Sequence, residues 1–329
     1  MARPENYQYQ SCLAPYIKAF ILKKRLEGFS YNSAEYLLKR FDAFCVEQHL
    51  IKPVITRELI MEWGTIRDME SKITCSGRVS VVRGLALYMQ SQGMEAYIPN
   101  RFCRKSHHIA YVLSDDEIRE FFKEVDNYTP SSKVGAFKRL AMEYRILFRV
   151  IYCCGLRVSE ARKIKIEDIN LHNGSIRLMQ SKGQRDRIVY LADDLSELCT
   201  IYIKHLSSIY NTSSPWLFPA RSPDGYLCAS GINQKFKQLW SKTSYAMNCD
   251  KTPTVHSLRH SFVVKRMNLW MKSEIPLKSM MPYLSKYLGH RSPDETFYYY
   301  HQIDSAFKII RSKDAVSSKI IPEVSDYEE

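Results

Sequence analysis

Residues 174–191 read GSIRLMQSKGQRDRIVYL. Apolar and polar side chains alternate on both sides of a glycine-containing turn, with Ile176 and Leu178 before it and Ile188 and Tyr190 after it. A period of two on either side of a turn predicts a β-hairpin. The sequence around the hairpin has a different period. Apolar residues recur at helical spacing over 136–153, 193–210 and 231–240, and again over much of 256–312. Upstream, Ser114-Asp115-Asp116-Glu117 has the form of a capping box ahead of EIREFFKEV, which predicts a helix start. Before position 110 the apolar residues fall three and four apart, as in Tyr16, Ala19, Phe20 and Leu22, or Leu37, Leu38, Phe41 and Phe44, and alternation is scarce. The stretch IPNRFCRKSHHIAYVL (98–113) is basic, contains a proline and has no clear period, so it reads as a linker. The expectation is a mostly α protein with a small antiparallel β-sheet. It consists of a helical domain at 1–97, a linker at 98–113, a mostly helical domain carrying the sheet at 114–312, and a tail at 313–329.

Composition supports two globular domains. The chain has 329 residues, 45% hydrophobic and 25% charged, enough apolar material for a sizeable core. This excludes a disordered chain, and 12 Gly with 13 Pro exclude a collagen-like one. Lys and Arg number 48 against 35 Asp and Glu, a net charge of +13, with both main segments basic and the tail acidic. Such a balance favours a polyanionic partner, most simply nucleic acid. No run of about 18 apolar residues predicts a membrane span, and the start MARPENYQYQ lacks the pattern of a signal peptide. Nine cysteines, an odd number with no CxxC pair, read as reduced thiols. The expectation is a soluble cytoplasmic protein with no membrane partner.

Four segments of the second domain carry reactive side chains. CCGLRVSEARKI (153–164) holds Arg157 and Glu160 three residues apart. SKGQRDR (181–187) sets Lys182 at the hairpin turn with Arg185 and Arg187 beside it. TVHSLRHSF (254–262) holds His256 and Arg259 on one side of a helix, with His260 close by. In YLGHRSPDETFYYYH (287–301), Leu288-Gly289 carries a helix stop signal, His290 follows, and Tyr299 comes nine residues later inside a tyrosine triplet. Each segment alone is ordinary: a surface ion pair, an exposed basic loop, a structural histidine, a packed aromatic run. In order, they supply the parts for phosphoryl transfer at a DNA backbone without a metal. Two guanidiniums can clamp the phosphate oxygens and neutralise charge that develops in a pentacoordinate transition state. A phenol, with an unperturbed pKa near 10, can act as nucleophile if a neighbour takes its proton. A lysine can protonate the departing 5′-oxygen, and imidazoles can move protons near neutral pH.

The motifs GLRVSE, SKGQRDR, HSLRH and LGH followed by eight residues and a Tyr resemble the catalytic boxes of the tyrosine recombinases, the phage-integrase-type site-specific recombinases. The resemblance covers 150–302 in motif and the whole chain more loosely in domain layout. It implies a helical core-binding domain joined to an α+β tyrosine-recombinase catalytic domain. It also implies site residues. Arg157 and Arg259 would be the clamp arginines, with Glu160 supporting the site. Lys182 would be the general acid and His256 the proton acceptor. His290 would hydrogen-bond the phosphate. Tyr299, with Tyr298 and Tyr300 as rivals, would be the nucleophile that forms a 3′-phosphotyrosine link. The family works on double-stranded DNA at specific sites as a homotetramer passing through a Holliday junction, in some members with accessory proteins, and without metal, ATP or other cofactor. In the first domain, Lys18, Lys23, Lys24, Arg25, Lys39 and Arg40 would touch phosphates, as would Arg185 and Arg187 at the hairpin.

Only about 100 residues precede the linker, so binding to separate arm sites is not expected. The stretch from Arg259 to His290 is longer than in compact enzymes that resolve chromosome dimers, which favours the integrase or transposase of a mobile element. In the tail, IDSAFKII (303–310) and SKIIPEV (318–324) are apolar patches suited to docking on a neighbouring subunit. A chromosome-dimer-resolving recombinase, a type IB topoisomerase-like enzyme and a catalytically silent DNA-binding regulator are the alternatives.

Overall fold

The computed structural model describes residues 7–100, 110–130, 138–179, 186–208, 214–222, 224–249, 251–273, 275–290 and 292–299. The chain divides into two compact units, Met1–His108 and Ile109–Glu329. Among the described residues the architecture is mostly helical with one small antiparallel sheet, as the periodicities predict.

In the first unit, α1 (Ala14–Leu26), α2 (Asn32–Glu47), α3 (Arg57–Trp63) and α4 (Lys72–Ser91) bury one apolar core. Thr56 and Ser71 cap α3 and α4 by accepting the backbone N–H of Leu59 and Thr74. In α1 the buried stripe is Ile17, Phe20 and Ile21, whereas Leu22 faces outward. In α2, Leu38, Phe41 and Cys45 lie inside, and Phe41 packs edge-on against Trp63 with ring centroids 5.2 Å apart. Arg78 of α4 is fully inside this core. Its guanidinium bonds both carboxylate oxygens of Glu70, at 3.1 and 2.7 Å, and the carbonyls of Trp63 and Thr65. A buried charge is tolerable only when paired and hydrogen-bonded in this way.

The second unit opens with α5 (Asp115–Asp126). Its capping box is complete, since Glu117 N–H donates to Ser114 Oγ and Ser114 N–H donates to Glu117 Oε2. Then come α6 (Leu140–Cys153), the short α7 (Val158–Ala161), α8 (Asp193–Ser208) and α9 (Ala229–Trp240). The chain continues through α10 (Val255–Lys272), α11 (Leu277–Leu288) and the single turn α12 (Asp294–Phe297). Phe121, Phe148 and Phe236 join α5, α6 and α9 at the centre of the core. A satellite cluster of Phe262, Met267, Met281, Leu284, Leu288 and Tyr299 ties α10 to α11 and to the chain after α12.

The sheet has three strands in the order β1 (Ile169–Asn170), β2 (Ser175–Leu178) and β3 (Arg187–Tyr190), all antiparallel. The hairpin is where it was expected, but its second strand has the opposite phase. Ile176 pairs with Val189, and both are buried, while Ile188 and Tyr190 face outward. Because successive strand residues point to opposite faces, this register also turns Arg187 inward with Val189. Among the described residues, no helix is long and apolar enough to cross a membrane.

Gly155, between α6 and α7, adopts φ +62°, and a Cβ there would lie 2.5 Å from the Phe262 ring. Gly77 sits inside α4 with nothing within 4 Å of a built Cβ. Gly155→Ala should therefore lower unfolding free energy by about 2 kcal/mol or more, whereas Gly77→Ala should raise it by about 0.5–1 kcal/mol. Denaturant titrations of both variants check the contrast.

Candidate active site

The site assembles around one carboxylate. Glu160 occupies the first turn of α7, and its Oε2 accepts the backbone N–H of Arg157 at 2.9 Å, so the side chain caps its own helix. Arg157 is the N-cap residue, and its Nη1 returns to Glu160 Oε1 at 2.8 Å. From β3, Arg187 meets Glu160 in a two-pronged pair, Nη1 to Oε1 at 3.1 Å and Nη2 to Oε2 at 2.8 Å. From α10, Arg259 Nη1 stands 3.8 Å from Glu160 Oε2. Burial alone would raise the Glu160 pKa, but the hydrogen bonds and charge of Arg187, with the help of Arg157, hold it down to about 2. Among the described residues, this cluster of three guanidiniums and one carboxylate carries two net positive charges.

Some of the other N–H groups of these arginines go to backbone carbonyls, that of Gly155 and those at the end of α11. Arg259 donates from Nη1 to the Gly155 carbonyl at 2.7 Å and from Nη2 to the Leu288 carbonyl at 2.9 Å. Arg157 reaches the Leu288 and Gly289 carbonyls at 3.4 and 3.3 Å, and Arg187 Nε reaches the Tyr287 carbonyl at 2.7 Å. Gly289 ends α11 in the left-handed region, φ +65°, which leaves these carbonyls free of helical partners. A Cβ at Gly289 would stand 2.8 Å from Arg187 Nη1, so the glycine also makes room for the guanidinium. Arg259 is almost fully buried, which with neighbouring Arg157 lowers its pKa to about 10, so it stays charged at neutral pH.

His290 follows the helix end and is buried. Its Nε2 lies 3.0 Å from Arg259 Nη2 and its Nδ1 lies 2.6 Å from Thr296 Oγ1. An arginine can only donate, so Nε2 holds the lone pair and Nδ1–H donates to the threonine hydroxyl. Burial, with Arg259 beside it, lowers the His290 pKa to about 3, and the ring is neutral at physiological pH.

Tyr299 is buried in the satellite cluster, and its Oη lies 2.6 Å from His260 Nδ1. Burial raises the phenol to about 12 against the opposing charge of Arg259, so it is protonated at neutral pH. The neighbouring Tyr298 uses its hydroxyl to accept the Ala110 N–H at 3.2 Å.

The structure thus brings Arg157, Glu160, Arg259 and His290 into one cluster with Tyr299 nearby. His256 is exposed, one turn before His260 on α10, with ring centroids 4.5 Å apart in an edge-on arrangement. Lys182 and Arg185 lie outside the described residues, as does the tail from 300 onward. Arg187, expected at a surface facing DNA, instead has both ends of its guanidinium on Glu160 because the β3 register turns it inward. Sequence reasoning assigned no role to His260 or Thr296. His260 was legible only as a second histidine four positions after His256, and Thr296 carried no signal at all. In the first unit Lys18, Lys23, Arg25 and Arg40 are exposed. Lys24 is partly covered and pairs with Glu27, Arg25 pairs with Glu35, and Lys39 lies over the Tyr7 ring. Among the described residues, no group of three or more His, Cys, Asp or Glu is placed to hold a metal ion.

The Phage integrase family model matches residues 111–305. Two similar sequences are the integrase/recombinase y4rE of Sinorhizobium fredii (strain NBRC 101917 / NGR234) and the tyrosine recombinase XerD of Staphylococcus aureus. The first is 29% identical over 154 residues, 46% of this chain and 49% of y4rE. The second is 24% identical over 263 residues, 77% of this chain and 83% of XerD. This chain thus spans about half the length of y4rE. In fold it is similar to the XerH site-specific recombinase in a post-cleavage complex with palindromic difH substrate. That match has a TM-score of 0.62 and 19% identity over 86% of this chain and 79% of that one. The chain belongs to the phage integrase family and is a tyrosine recombinase, an enzyme that breaks and rejoins DNA strands in site-specific recombination.

The charge cluster has a pH signature. The folded pKa of Glu160 lies below its unfolded value, so its contribution to stability is complete above about pH 5 and is lost as pH falls towards 2. The depressed His290 acts in the same direction from about pH 6.5 downward, because the unfolded chain binds that proton first. Glu160→Gln should lower stability at pH 7 by about 3–5 kcal/mol, since it strands buried guanidiniums. It should also flatten the acid limb between pH 5 and 2. Urea denaturation across pH reads both effects.

Proposed function

We propose that this enzyme exchanges strands between two DNA duplexes at specific sites, through a 3′-phosphotyrosine at Tyr299 and a Holliday junction, within a homotetramer on DNA. Arg157 and Arg259 clamp the non-bridging oxygens of the scissile phosphate, and their two-pronged donors suit that geometry. Two net positive charges match the extra negative charge of a pentacoordinate transition state, which is where such a pocket accelerates the step. Glu160 holds the arginines in place. His290 changes tautomer, so that Nδ1 accepts from Thr296 and Nε2–H donates to the phosphate, Lys182 protonates the departing 5′-oxygen, and a histidine of α10 accepts the phenol proton. The bond energy of the cut strand is kept in the phosphotyrosine, so rejoining needs neither ATP nor a metal.

In this reading 1–97 is a core-binding domain, 98–113 a linker, 114–312 the catalytic domain and 313–329 an inter-subunit tail. Lys18, Lys23, Lys24, Arg25, Lys39, Arg40 and Arg185 supply phosphate contacts that position the duplex. The length of the Arg259–His290 stretch and the likeness to an integrase/recombinase favour the integrase or transposase of a mobile element, acting with accessory proteins. The observation that carries the proposal is the pairing of Tyr299 Oη with an imidazole at 2.6 Å, close enough to Arg259 and Arg157 for their charges to act on the phenol.

The test is covalent trapping on a nicked suicide duplex carrying the end of the element that encodes the chain. Wild type, Tyr298→Phe and Tyr300→Phe should give a protein–DNA adduct on a denaturing gel, and Tyr299→Phe should give none. Adduct formation should persist in EDTA. Loss with Tyr298→Phe or Tyr300→Phe alone would move the nucleophile, and strict dependence on a divalent metal would overturn the mechanism.

A further inference from the structure

A phenol that attacks phosphorus must shed its proton as the new bond forms, and the base that takes it must lie within hydrogen-bond reach, about 2.6–3.2 Å. His260 Nδ1 meets that condition at 2.6 Å from Tyr299 Oη, with the two ring centroids 5.3 Å apart. His256, one turn back, is exposed and presents its ring edge-on to His260. The spacing explains the division of labour on α10. Consecutive helical residues point about 100° apart, so Arg259 faces the carbonyls of Gly155 and Leu288 while His260 faces the phenol. Burial raises the phenol pKa to about 12, so at neutral pH the proton leaves as the new bond forms. The groups on the Tyr299 side of this pair are Tyr298, whose ring packs edge-on against Tyr299, the positive charges of Arg259 and Arg157, and the carboxylate of Glu295.

We infer that His260 is a further catalytic residue, the general base that takes the Tyr299 proton in cleavage and returns it in rejoining, with His256 as a positioning residue that braces its ring. The inference rests on Tyr299 being the nucleophile and deepens that reading. In cleavage the Tyr299 O–H bond breaks and its proton goes to His260 Nδ1. The Oη–P bond forms, the P–O5′ bond breaks, and the 5′-oxygen takes a proton from Lys182. In rejoining a 5′-hydroxyl attacks phosphorus and gives its proton to Lys182, while Tyr299 Oη departs and recovers its proton from His260. No oxidant, metal or nucleotide enters the balance.

The experiment measures single-turnover adduct formation by the full chain on two nicked duplexes, one with the ordinary 5′-oxygen and one with a 5′-bridging sulfur at the cleaved bond. Sulfur departs without a proton, so it relieves the need for a general acid and leaves the need for a base untouched. His260→Gln can still hydrogen-bond the phenol yet cannot take its proton in this range. It should slow adduct formation by about 10²–10⁴-fold on both substrates. Lys182→Ala should be slow on the oxygen substrate and restored on the sulfur one. His260→Ala should regain rate with added imidazole, and a purely structural hydrogen bond would show no such rescue. Melting curves and duplex binding of each variant guard against loss of fold, and the imidazole rescue separates a base from a structural group even where His260→Gln is unstable. Three results would overturn the inference: a His260→Gln rate within about threefold of wild type, a His260→Gln defect cured by sulfur, or a base-type defect that follows His256→Gln alone. An adduct formed by Tyr299→Phe is a separate outcome, which removes the nucleophile assignment itself.

Discussion

The buried pairing of Glu160 with Arg157, Arg187 and Arg259 is the interaction on which the catalytic unit depends. Three guanidiniums drawn from a loop, a strand and a helix would repel one another if nothing lay between them. Glu160 sits among all three, and backbone carbonyls from Gly155 and from 287–289 take up part of their other N–H groups. The arrangement satisfies each buried donor, which burial demands. It also leaves a net positive pocket whose donors are already oriented before any phosphate arrives, which is how a preorganised site stabilises developing charge.

The end of α11 is the other half of that arrangement. A helix that stops in a left-handed glycine releases its last carbonyls, and here Tyr287, Leu288 and Gly289 offer theirs to arginines rather than to water. His290 comes immediately after, so one backbone feature both anchors the arginines and delivers an imidazole to Arg259. The same stretch supplies Leu288 to the apolar cluster that buries Tyr299. Guanidiniums, imidazole and phenol therefore share a single support, and a change at the helix end is felt by all three.

Much of this was legible in the linear sequence. The capping box at Ser114, the helical periods, the stop at Gly289 and the two-residue period of the hairpin are local signals, because each depends on residues within one or two turns of one another. The motifs around Arg157, Arg259, His290 and Tyr299 pointed to one chemistry because guanidiniums, an imidazole and a phenol supply the parts for phosphoryl transfer and because those motifs resemble the tyrosine-recombinase catalytic boxes. In α1 the stripe read as Tyr16, Ala19, Phe20 and Leu22 is buried only at Phe20: Ala19 and Leu22 are exposed and the buried partners are Ile17 and Ile21, since apolar residues on the outer side of a helix blur its period.

Periodicity and capping signals thus determined the helical class and the hairpin, and motif order marked the candidate site residues, because all of these are encoded by neighbours in the chain. Tertiary structure alone decided the phase of β3, and with it whether Arg187 faces solvent or Glu160, because a one-residue change of register sends every side chain of a strand to the other face. It alone decided that His260 rather than the exposed His256 meets Tyr299, and that Thr296 holds His290. Those pairings join residues 39 and 6 positions apart on different elements. No local propensity specifies such a contact. It comes from packing α10, α11 and α12 into a single core, where each side chain's direction follows from what surrounds it.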